Sequence, residues 1–223
     1  EFVRKNREFF NSTTQSVNFS DSNTAELING WASNNTNGLI KKVIESTKPE
    51  DLMYLLNAIY FKGIWTSEFN KKNTHKKPFT LEDGSTVNVD MLSQTEKFNY
   101  KQDESLQLVE LPYGNGAFSM LVLLPKEEKN LLDIAGTLSS SNYWTNLKSG
   151  LQEHEVELYI PKFKTEYSKK LNNVLKDMGM GLAFSNNANF LGMSDIPAKI
   201  DFVKQDTYIS VDEVGTEAAA VTT

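Results

Sequence analysis

The sequence predicts an α+β fold, and three observations lead to it. Some runs carry the alternating or continuous apolar pattern of β-strands, whereas others carry apolar residues at helical spacing. The two kinds of run are mixed along the chain without the regular strand–helix–strand order of a parallel α/β sheet. No internal repeat, linker or low-complexity tract divides the chain, so we expect one domain over residues 1–223.

The composition limits the possible functions. Hydrophobic residues make up 39% and aromatic residues 11% of the chain, which is enough for a packed core. A net charge of −6 argues against nucleic acid as the main partner. The chain has no cysteine, which excludes disulfides, thiolate catalysis and cysteine-based zinc sites. No run approaches the ~18 unbroken apolar residues of a transmembrane helix.

The first predicted helix lies in "SDSNTAELINGWASNNTNGLI". Asn23 and Glu26 have the spacing of a capping box at its start. Its apolar face consists of Leu27, Ile28 and Trp31, and the asparagine- and glycine-rich stretch that follows ends it.

The next run, Leu52–Phe61, is apolar almost throughout and predicts a strand buried on both faces. Only Asn57 interrupts it. A buried amide must find partners or cost about 1–3 kcal/mol. Asn57 is therefore either a satisfied core amide that fixes the strand register or a polar latch between strands that separate.

The second half of the chain predicts further strands and helices. "LQLVELPY" and "FSMLVLLP" read as strands joined by a "GNG" turn, and residues 127–150 read as amphipathic helix. "HEVELYIP" alternates, with Val156, Leu158 and Ile160 on one face. A last helix ends at Gly179 and carries apolar residues at helical spacing: Leu171, Val174, Leu175 and Met178.

The histidines and lysines give weak functional signals. His75 and His154 lack the serine elbow or paired-histidine spacing that catalysis or zinc binding needs, so we expect two surface histidines and no enzyme. The basic loop "KKNTHKKPF" could bind a polyanion, although a solvated loop is the favoured alternative. Its lysines are Lys71, Lys72, Lys76 and Lys77.

The stretch "EVGTEAAAVTT" follows the strand-like run "TYISVDEV" and consists mostly of small residues. If the strand period continues, one face is uniformly small and carries Thr216, Ala218, Ala220 and Thr222. The other face carries Glu217, Ala219, Val221 and Thr223. Such a segment could enter a narrow gap in a sheet without burying a charge, with Gly215 as a hinge that adopts unusual backbone angles. Alanine also favours helix, so a frayed helix or a disordered end is the alternative.

Taken together, these stretches resemble the serpin family. "INGWASNNTNGLI" is similar to the family's Ile-Asn-x-Trp-x4-Thr-x-Gly-x-Ile helix signature, and "NAIYFKGIW" to the third strand of its sheet A. "VELPY", "IPKF", "LNNVLKDMGMGLAF", "NANFLGM" and "EVGTEAAAVTT" occur in the family's order. The resemblance implies a serpin fold with a large mixed β-sheet A, smaller sheets B and C, and surrounding helices. The N-terminal helices and the last strands of a complete serpin are expected outside this chain.

The resemblance also implies a function, namely irreversible suicide-substrate inhibition of endopeptidases, with serine proteases as the expected targets. The cleaved reactive loop would insert into sheet A, between Leu52–Phe61 and Thr207–Val214, while the protease is held as an acyl-enzyme. The residue before the scissile bond is expected beyond Thr223. No cofactor or metal is implied, and secretion or cell-envelope location is expected. The alternative is a non-inhibitory serpin that acts in binding, as a chaperone or in storage.

The resemblance assigns roles to particular residues. The hinge and proximal reactive loop are Glu213, Val214, Gly215, Thr216, Glu217, Ala218, Ala219, Ala220, Val221, Thr222 and Thr223. Glu213 is expected to pair with Lys162, and Trp65 to lie where the sheet opens. Asn57 belongs to the central gate, where Gln205 stands in place of the histidine often found in the family. Glutamine does not titrate near neutral pH, so we expect no histidine-type pH dependence of the gate.

Overall fold

The computed structural model describes residues 1–126 and 129–223, so the first two residues of the predicted helical stretch 127–150 lie outside it. The chain divides into two compact units. The first comprises residues 1–61, 165–209 and 218–223, and the second comprises residues 62–164 and 210–217. Within the described residues, no helix is both long and apolar enough to cross a lipid bilayer.

Helices and strands are mixed along the chain without a regular alternation. The helices are α1 (Phe2–Phe10), α2 (Thr24–Asn35), α3 (Leu131–Thr137), α4 (Ser141–Ser149) and α5 (Asn172–Asp177). The strands are β1 (Asn57–Ile64), β2 (His75–Thr80), β3 (Thr86–Gln102), β4 (Leu106–Tyr113), β5 (Phe118–Pro125), β6 (Gln152–Pro161), β7 (Phe163–Lys170), β8 (Lys204–Val211) and β9 (Gly215–Thr222). Short 3-10 helices span Lys71–Asn73 and Met180–Phe184.

The strands form two sheets. One has four strands in the order β1-β9-β8-β7. The other has five strands in the order β2-β3-β4-β5, with β6 also paired to β3. The long β3 pairs with β2 at its start, β6 in its middle and β4 at its end, always antiparallel. The second sheet is therefore continuous through β3, a single strand of 17 residues.

The core of the first unit lies between α2 and the sheet. Its buried residues come from α2, from the segment of residues 40–44 that follows it and from β9: Ala25, Ile28, Ala32, Ile40, Val43, Ile44, Ala219 and Val221. The side chain of Asn29 fixes the 40–44 segment on α2. Its Oδ1 accepts the N–H groups of Val43 and Ile44, and its Nδ2 donates to the Ile44 carbonyl at 3.0 Å.

A core of the second unit joins β4 to the helices that follow β5. Leu106 and Leu108 of β4 pack with Ile134 of α3 and Leu147 of α4, and all four are buried. The alternation of β4 produces this arrangement, because every second side chain points towards the helices. Both helices begin at polar caps. The Asn130 side chain accepts the Leu132 N–H, and that of Ser140 accepts the Tyr143 N–H.

Most predicted elements are confirmed. "LQLVELPY" and "FSMLVLLP" are β4 and β5, paired antiparallel in full register around the "GNG" turn. "HEVELYIP" lies within β6, with Leu158 and Ile160 buried. The last predicted helix is α5, followed by Gly179 with a left-handed φ of 101°.

Two details of the prediction at the start of the chain are wrong. Asn23 does not cap α2 through its side chain, because its own backbone is already helical. Instead, Asp21 Oδ1 accepts the Asn23 N–H and the Asp21 carbonyl accepts the Thr24 N–H. The run Leu52–Phe61 is not a strand buried on both faces. The strand begins only at Asn57, at the edge of its sheet, and most of its residues are exposed.

Candidate functional site

A tight turn joins β8 to β9 at the predicted hinge. The Asp212 N–H donates to the Gly215 carbonyl at 3.0 Å. The N–H groups of Val214 and Gly215 donate to Asp212 Oδ1 at 2.9 and 3.1 Å. Aspartate suits this position because its short carboxylate reaches backbone donors two and three residues ahead. Asp212 was given no role from sequence, although its place before a predicted glycine hinge is a turn signal.

Strand β9 pairs antiparallel with β8 and lies between β8 and β1. At the far end from the turn, Lys204 and Thr223 exchange both backbone hydrogen bonds, at 2.7 and 2.8 Å. The same register places Val221 opposite Asp206 and Ala219 opposite Tyr208. The alternatives of a frayed helix or a disordered end are therefore wrong, since residues 215–222 form a strand with a neighbour on each edge.

Gly215 occupies the closest approach between β9 and β1. A Cβ atom at this position would lie 2.0 Å from the carbonyl oxygen of Gly63, far inside van der Waals contact. Its φ is not in the left-handed region that five other glycines of the chain occupy. Glycine is thus required here for space. The sequence-based reason, unusual backbone angles, is wrong for this conformation.

Trp65 holds the turn from the side of β1. Its indole Nε1 donates to the Asp212 carbonyl at 2.9 Å, and its backbone N–H donates to the Val214 carbonyl at 2.9 Å. The ring is 3% exposed and stacks on Tyr113, with ring centroids 4.5 Å apart and planes 15° apart. A buried indole needs a partner for its N–H, and the hinge carbonyl supplies it.

Tyr113 reaches the first side chain of β9 after Gly215. Its hydroxyl donates to Thr216 Oγ1 at 2.7 Å, and both residues are buried, at 7% and 4% exposure. Burial raises the pKa of the Tyr113 hydroxyl, which keeps the proton available for donation. The stretch "VELPY" carries part of the family resemblance, but no pattern in the sequence predicts a role for its tyrosine.

Glu213 lies in the turn with two partners. Lys162 Nζ is 2.8 Å from Glu213 Oε2, and Thr74 Oγ1 donates to Glu213 Oε1 at 3.0 Å. The hydrogen bond from Lys162 lowers the pKa of Glu213 below its ordinary value, against the opposing effect of burial. The same bond raises the pKa of Lys162. The Glu213 side chain is 7% exposed and that of Lys162 is 43% exposed, so solvent screens one half of the pair.

After the buried Thr216, β9 buries odd-numbered side chains rather than the uniformly small, even-numbered face. Ala219 and Val221 lie in the core under α2, whereas Ala218 and Ala220 are only half-buried. The period of two holds, but α2 and the 40–44 segment cover the odd-numbered side chains. Glu217 shares that face and stays partly exposed, with Lys62 Nζ 3.8 Å from its Oε1.

Lys204 links β8 to the 40–44 segment, which packs against β9. Its Nζ donates to the Val43 carbonyl at 3.0 Å and lies 2.9 Å from Asp206 Oδ2. Together with Asn29, this lysine fixes the 40–44 segment near the end of β9. Neither residue had a sequence signal, because the contacts join segments far apart in the chain.

The two gate residues are on strands that are not neighbours in this conformation. Asn57 is the first residue of β1 and Gln205 lies in β8, with β9 between the two strands. Asn57 is exposed, so the cost of a buried amide does not apply to it. The assignment of Asn57 and Gln205 to a central gate stays a prediction.

The basic stretch is not simply a loop. Lys71 and Lys72 lie on a 3-10 helix and are exposed, whereas Lys76 and Lys77 belong to β2. Lys76 Nζ is 3.0 Å from Asp90 Oδ2, and Lys77 Nζ lies 3.7 Å from the centroid of the Tyr159 ring. Acidic and aromatic neighbours thus already engage two of the four lysines.

Neither histidine belongs to a group that could hold a metal ion in the part of the chain that the structure describes. His75 begins β2, and His154 packs edge-on against Tyr100, with centroids 5.9 Å apart. Across residues 1–126 and 129–223, no group of three or more histidine or acidic side chains could hold a metal ion.

Comparison with known proteins identifies the family. The family model described as "Serpin (serine protease inhibitor)" matches residues 1–223. This chain belongs to the serpin family. It is 36% identical to human Serpin B11 over 100% of its own length and 59% of that protein. It is 32% identical to Antitrypsin of Bombyx mori over 98% of its own length and 57% of that protein.

A solved structure shares the fold closely. "Cleaved Serpin 42Da" matches with a TM-score of 0.93 and 34% identity, over 99% of this chain and 61% of that one. The serpin fold expected from sequence is thereby confirmed. The chain spans just under three fifths of the length of the two curated relatives named above.

Proposed function

We propose that the full-length parent of this chain is an irreversible suicide-substrate inhibitor of an endopeptidase, expected to be a serine protease. Residues 213–223 would be the hinge and the first part of its reactive loop. The observation that carries the proposal is the position of β9, which lies between β1 and β8 in one sheet. An exposed loop that becomes this strand after cleavage would move its attached protease with it.

The proposed reaction is an acyl transfer. The hydroxyl oxygen of the protease's serine attacks the carbonyl carbon before the scissile bond, and an ester forms. The carbon–nitrogen bond breaks, and the new amino terminus takes a proton and leaves. Water would hydrolyse this ester in an ordinary turnover. The contribution of this chain is to insert residues 215–222 before hydrolysis occurs.

The contacts of β9 supply a driving force for insertion. The strand forms backbone hydrogen bonds to β8, each worth a net of about 0.5–1.5 kcal/mol. It also buries Thr216, Ala219 and Val221. None of these three side chains is charged, so their burial carries little desolvation cost. The uncleaved form would then be a kinetically held state with this strand still unmade.

The alternative is a non-inhibitory serpin that binds, stores or protects another molecule. The small side chains of β9 favour inhibition, because a bulky or charged residue at Thr216 would meet the buried Tyr113 hydroxyl. We predict that Thr216→Arg converts the inhibitor into a substrate, since an unpaired buried charge costs several kcal/mol. Thr80→Arg, at an exposed position of β2, is the matched control and is expected to inhibit normally. Undiminished inhibition by Thr216→Arg would contradict the insertion argument.

The function itself is tested by covalent trapping. The full-length parent is mixed with trypsin-, chymotrypsin- and elastase-like serine proteases and a papain-like cysteine protease, and the products are run on a denaturing gel. A band at the summed mass that resists SDS is expected with at least one protease. Cleavage of the parent by every protease without that band would leave binding or storage as the function.

We also propose a polyanion as an additional partner, held mainly by the exposed lysines Lys71 and Lys72. Retention on a heparin column should weaken in Lys71→Gln/Lys72→Gln, and less in Lys76→Gln, because Lys76 is already paired with Asp90. Equal retention of all variants would exclude this partner.

We propose secretion or a cell-envelope location for the parent protein. Fractionation of the cells that produce it tests this location, and the parent is expected outside them.

A further inference from the structure

The buried hydroxyl pair at the hinge has a specific geometry. Tyr113 donates to Thr216 at 2.7 Å, and the backbone register places Thr216 across from Val211, itself buried in β8. Thr216 is the first residue of β9 after Gly215 and carries a polar atom into a site closed to water. A hydroxyl in such a place needs a partner, and the ring of Tyr113 brings one to it.

Tyr113 is held in position by residues outside the hinge. The Thr66 N–H donates to the Pro112 carbonyl at 2.9 Å, and Thr66 Oγ1 donates to the Gly114 carbonyl at 2.8 Å. The Gly114 N–H donates to the Ile64 carbonyl at 2.8 Å. These bonds brace the residues on both sides of Tyr113 and involve no residue of 212–223. They can therefore exist whether or not β9 is in the sheet.

The stacked Trp65 extends the same surface to the turn. It holds the carbonyls of Asp212 and Val214, while Tyr113 holds the side chain of Thr216. The two stacked rings thus contact the hinge before and after Gly215. An aromatic pair of this kind is rigid, so its polar atoms are preorganised for the incoming segment.

From this arrangement we propose that Tyr113 is a positioning residue for loop insertion. Its hydroxyl hydrogen-bonds Thr216, the first buried side chain of the entering strand. This bond favours insertion of the loop over hydrolysis of the acyl-enzyme. This inference rests on the proposed function, because it concerns the step at which the loop enters the sheet. It also explains the choice of threonine, whose hydroxyl satisfies the tyrosine while its methyl group fills the buried site.

The first test measures insertion without requiring inhibition. The loop of the full-length parent is nicked by a non-target protease, and denaturant unfolding is followed before and after nicking. The proteins are wild type, Tyr113→Phe, Thr216→Val, the double variant and Tyr100→Phe. Tyr100 is the matched control, since its hydroxyl makes an exposed 3.3 Å bond to Gln102.

The expected result is a smaller gain in stability on nicking for Tyr113→Phe and Thr216→Val. The double variant should be no worse than either single variant, because each removes the same hydrogen bond. The uncleaved forms and Tyr100→Phe should match wild type. If Tyr113→Phe lowers the free energy of unfolding equally in the uncleaved and cleaved forms, Tyr113 has an ordinary structural role and the proposal is overturned. The proposal is also overturned if the effects of the two single variants on the stability gain add up in the double variant. A wild type that gains no stability on nicking would overturn it as well.

The second test uses whichever protease the parent traps. The ratio of cleaved inhibitor to covalent complex should rise about 3- to 10-fold in Tyr113→Phe, as expected for loss of one buried hydrogen bond at the branch point. Thr216→Val should raise the ratio similarly, whereas Thr216→Ser keeps the hydroxyl and should stay close to the wild-type ratio. An unchanged ratio in Tyr113→Phe contradicts the proposal while leaving inhibition intact. A wild type that traps nothing contradicts the proposed function instead, and the unfolding test still decides the role of Tyr113.

Discussion

Substituting Gly215 tests how closely the inserted strand must approach β1. In Gly215→Ala the new methyl carbon would lie 2.0 Å from the Gly63 carbonyl oxygen, 2.9 Å from the Gly63 carbonyl carbon and 3.0 Å from Ile64 Cα. All three atoms belong to the backbone, so no side-chain rotation can relieve the clash. The strands would have to separate by about 1 Å to restore ordinary contact distances.

The cost can be worked from the bonds at this place. Overpacking of this kind typically costs about 1–3 kcal/mol. The separation would also weaken the Trp65–Val214 and Asp212–Gly215 hydrogen bonds, each worth about 0.5–1.5 kcal/mol. The inserted form should therefore lose about 2–6 kcal/mol, whereas an uncleaved form with this loop outside the sheet should change little.

The assay compares uncleaved and loop-nicked forms of the full-length parent in denaturant. Gly30→Ala is the matched control, since nothing lies within 4 Å of a Cβ at that helical position. The control should raise the stability of both forms by about 0.5–1 kcal/mol. A nicked Gly215→Ala protein as stable as nicked wild type would refute the reasoning.

Three further predictions follow from the neighbouring contacts. Lys162→Met should lower the free energy of unfolding by about 1–2 kcal/mol between about pH 5 and 10. The loss is small because the Lys162 side chain is 43% exposed and solvent screens its pairing with Glu213. The lowered pKa of Glu213 means that its contribution is complete above its unfolded value of about 4.3 and is lost as the pH falls through its folded value. The raised pKa of Lys162 means that its contribution is complete below about 10.4 and is lost as the pH rises further. The variant and wild type should therefore converge as the pH falls through the lowered pKa of Glu213, which unfolding curves across pH would check. Asn29→Ala should cost about 2–4 kcal/mol in thermal or denaturant unfolding, because two backbone N–H groups and one carbonyl lose their partner. The insertion rate should be flat from pH 6 to 7.5, and a step near pH 6.5 that depends on Gln205 or Asn57 would count against this.

The fold was largely predictable because its strands have strong local patterns. The alternation in β6 is visible in sequence, and this strand buries Leu158 and Ile160 on the indicated face, with Val156 half-buried. The prediction of a buried strand over Leu52–Phe61 was wrong because a continuous apolar pattern does not show which edge or face of a strand is covered by a neighbour. Asn23 misled because a cap needs an extended backbone, and here the helical conformation already begins at that residue.

Only the parts of the candidate site that carry the family resemblance could be predicted from the sequence. The hinge and the Glu213–Lys162 pairing came from a resemblance, and the structure places those two side chains 2.8 Å apart. Tyr113 could not be found in this way, because its contact with Thr216 joins residues 103 positions apart. The buried face of β9 was misassigned because the sequence shows the period of the strand but not the side on which α2 lies.

The central claim is that residues 215–222 become a strand between β1 and β8 when the reactive loop is cut. Hydrogen exchange of their backbone amides in the full-length parent, measured before and after nicking, tests this most directly. The account predicts fast exchange in the uncleaved protein and strong protection afterwards, with the protected stretch starting at the hinge. Equal exchange in both states, whether fast or slow, would contradict it.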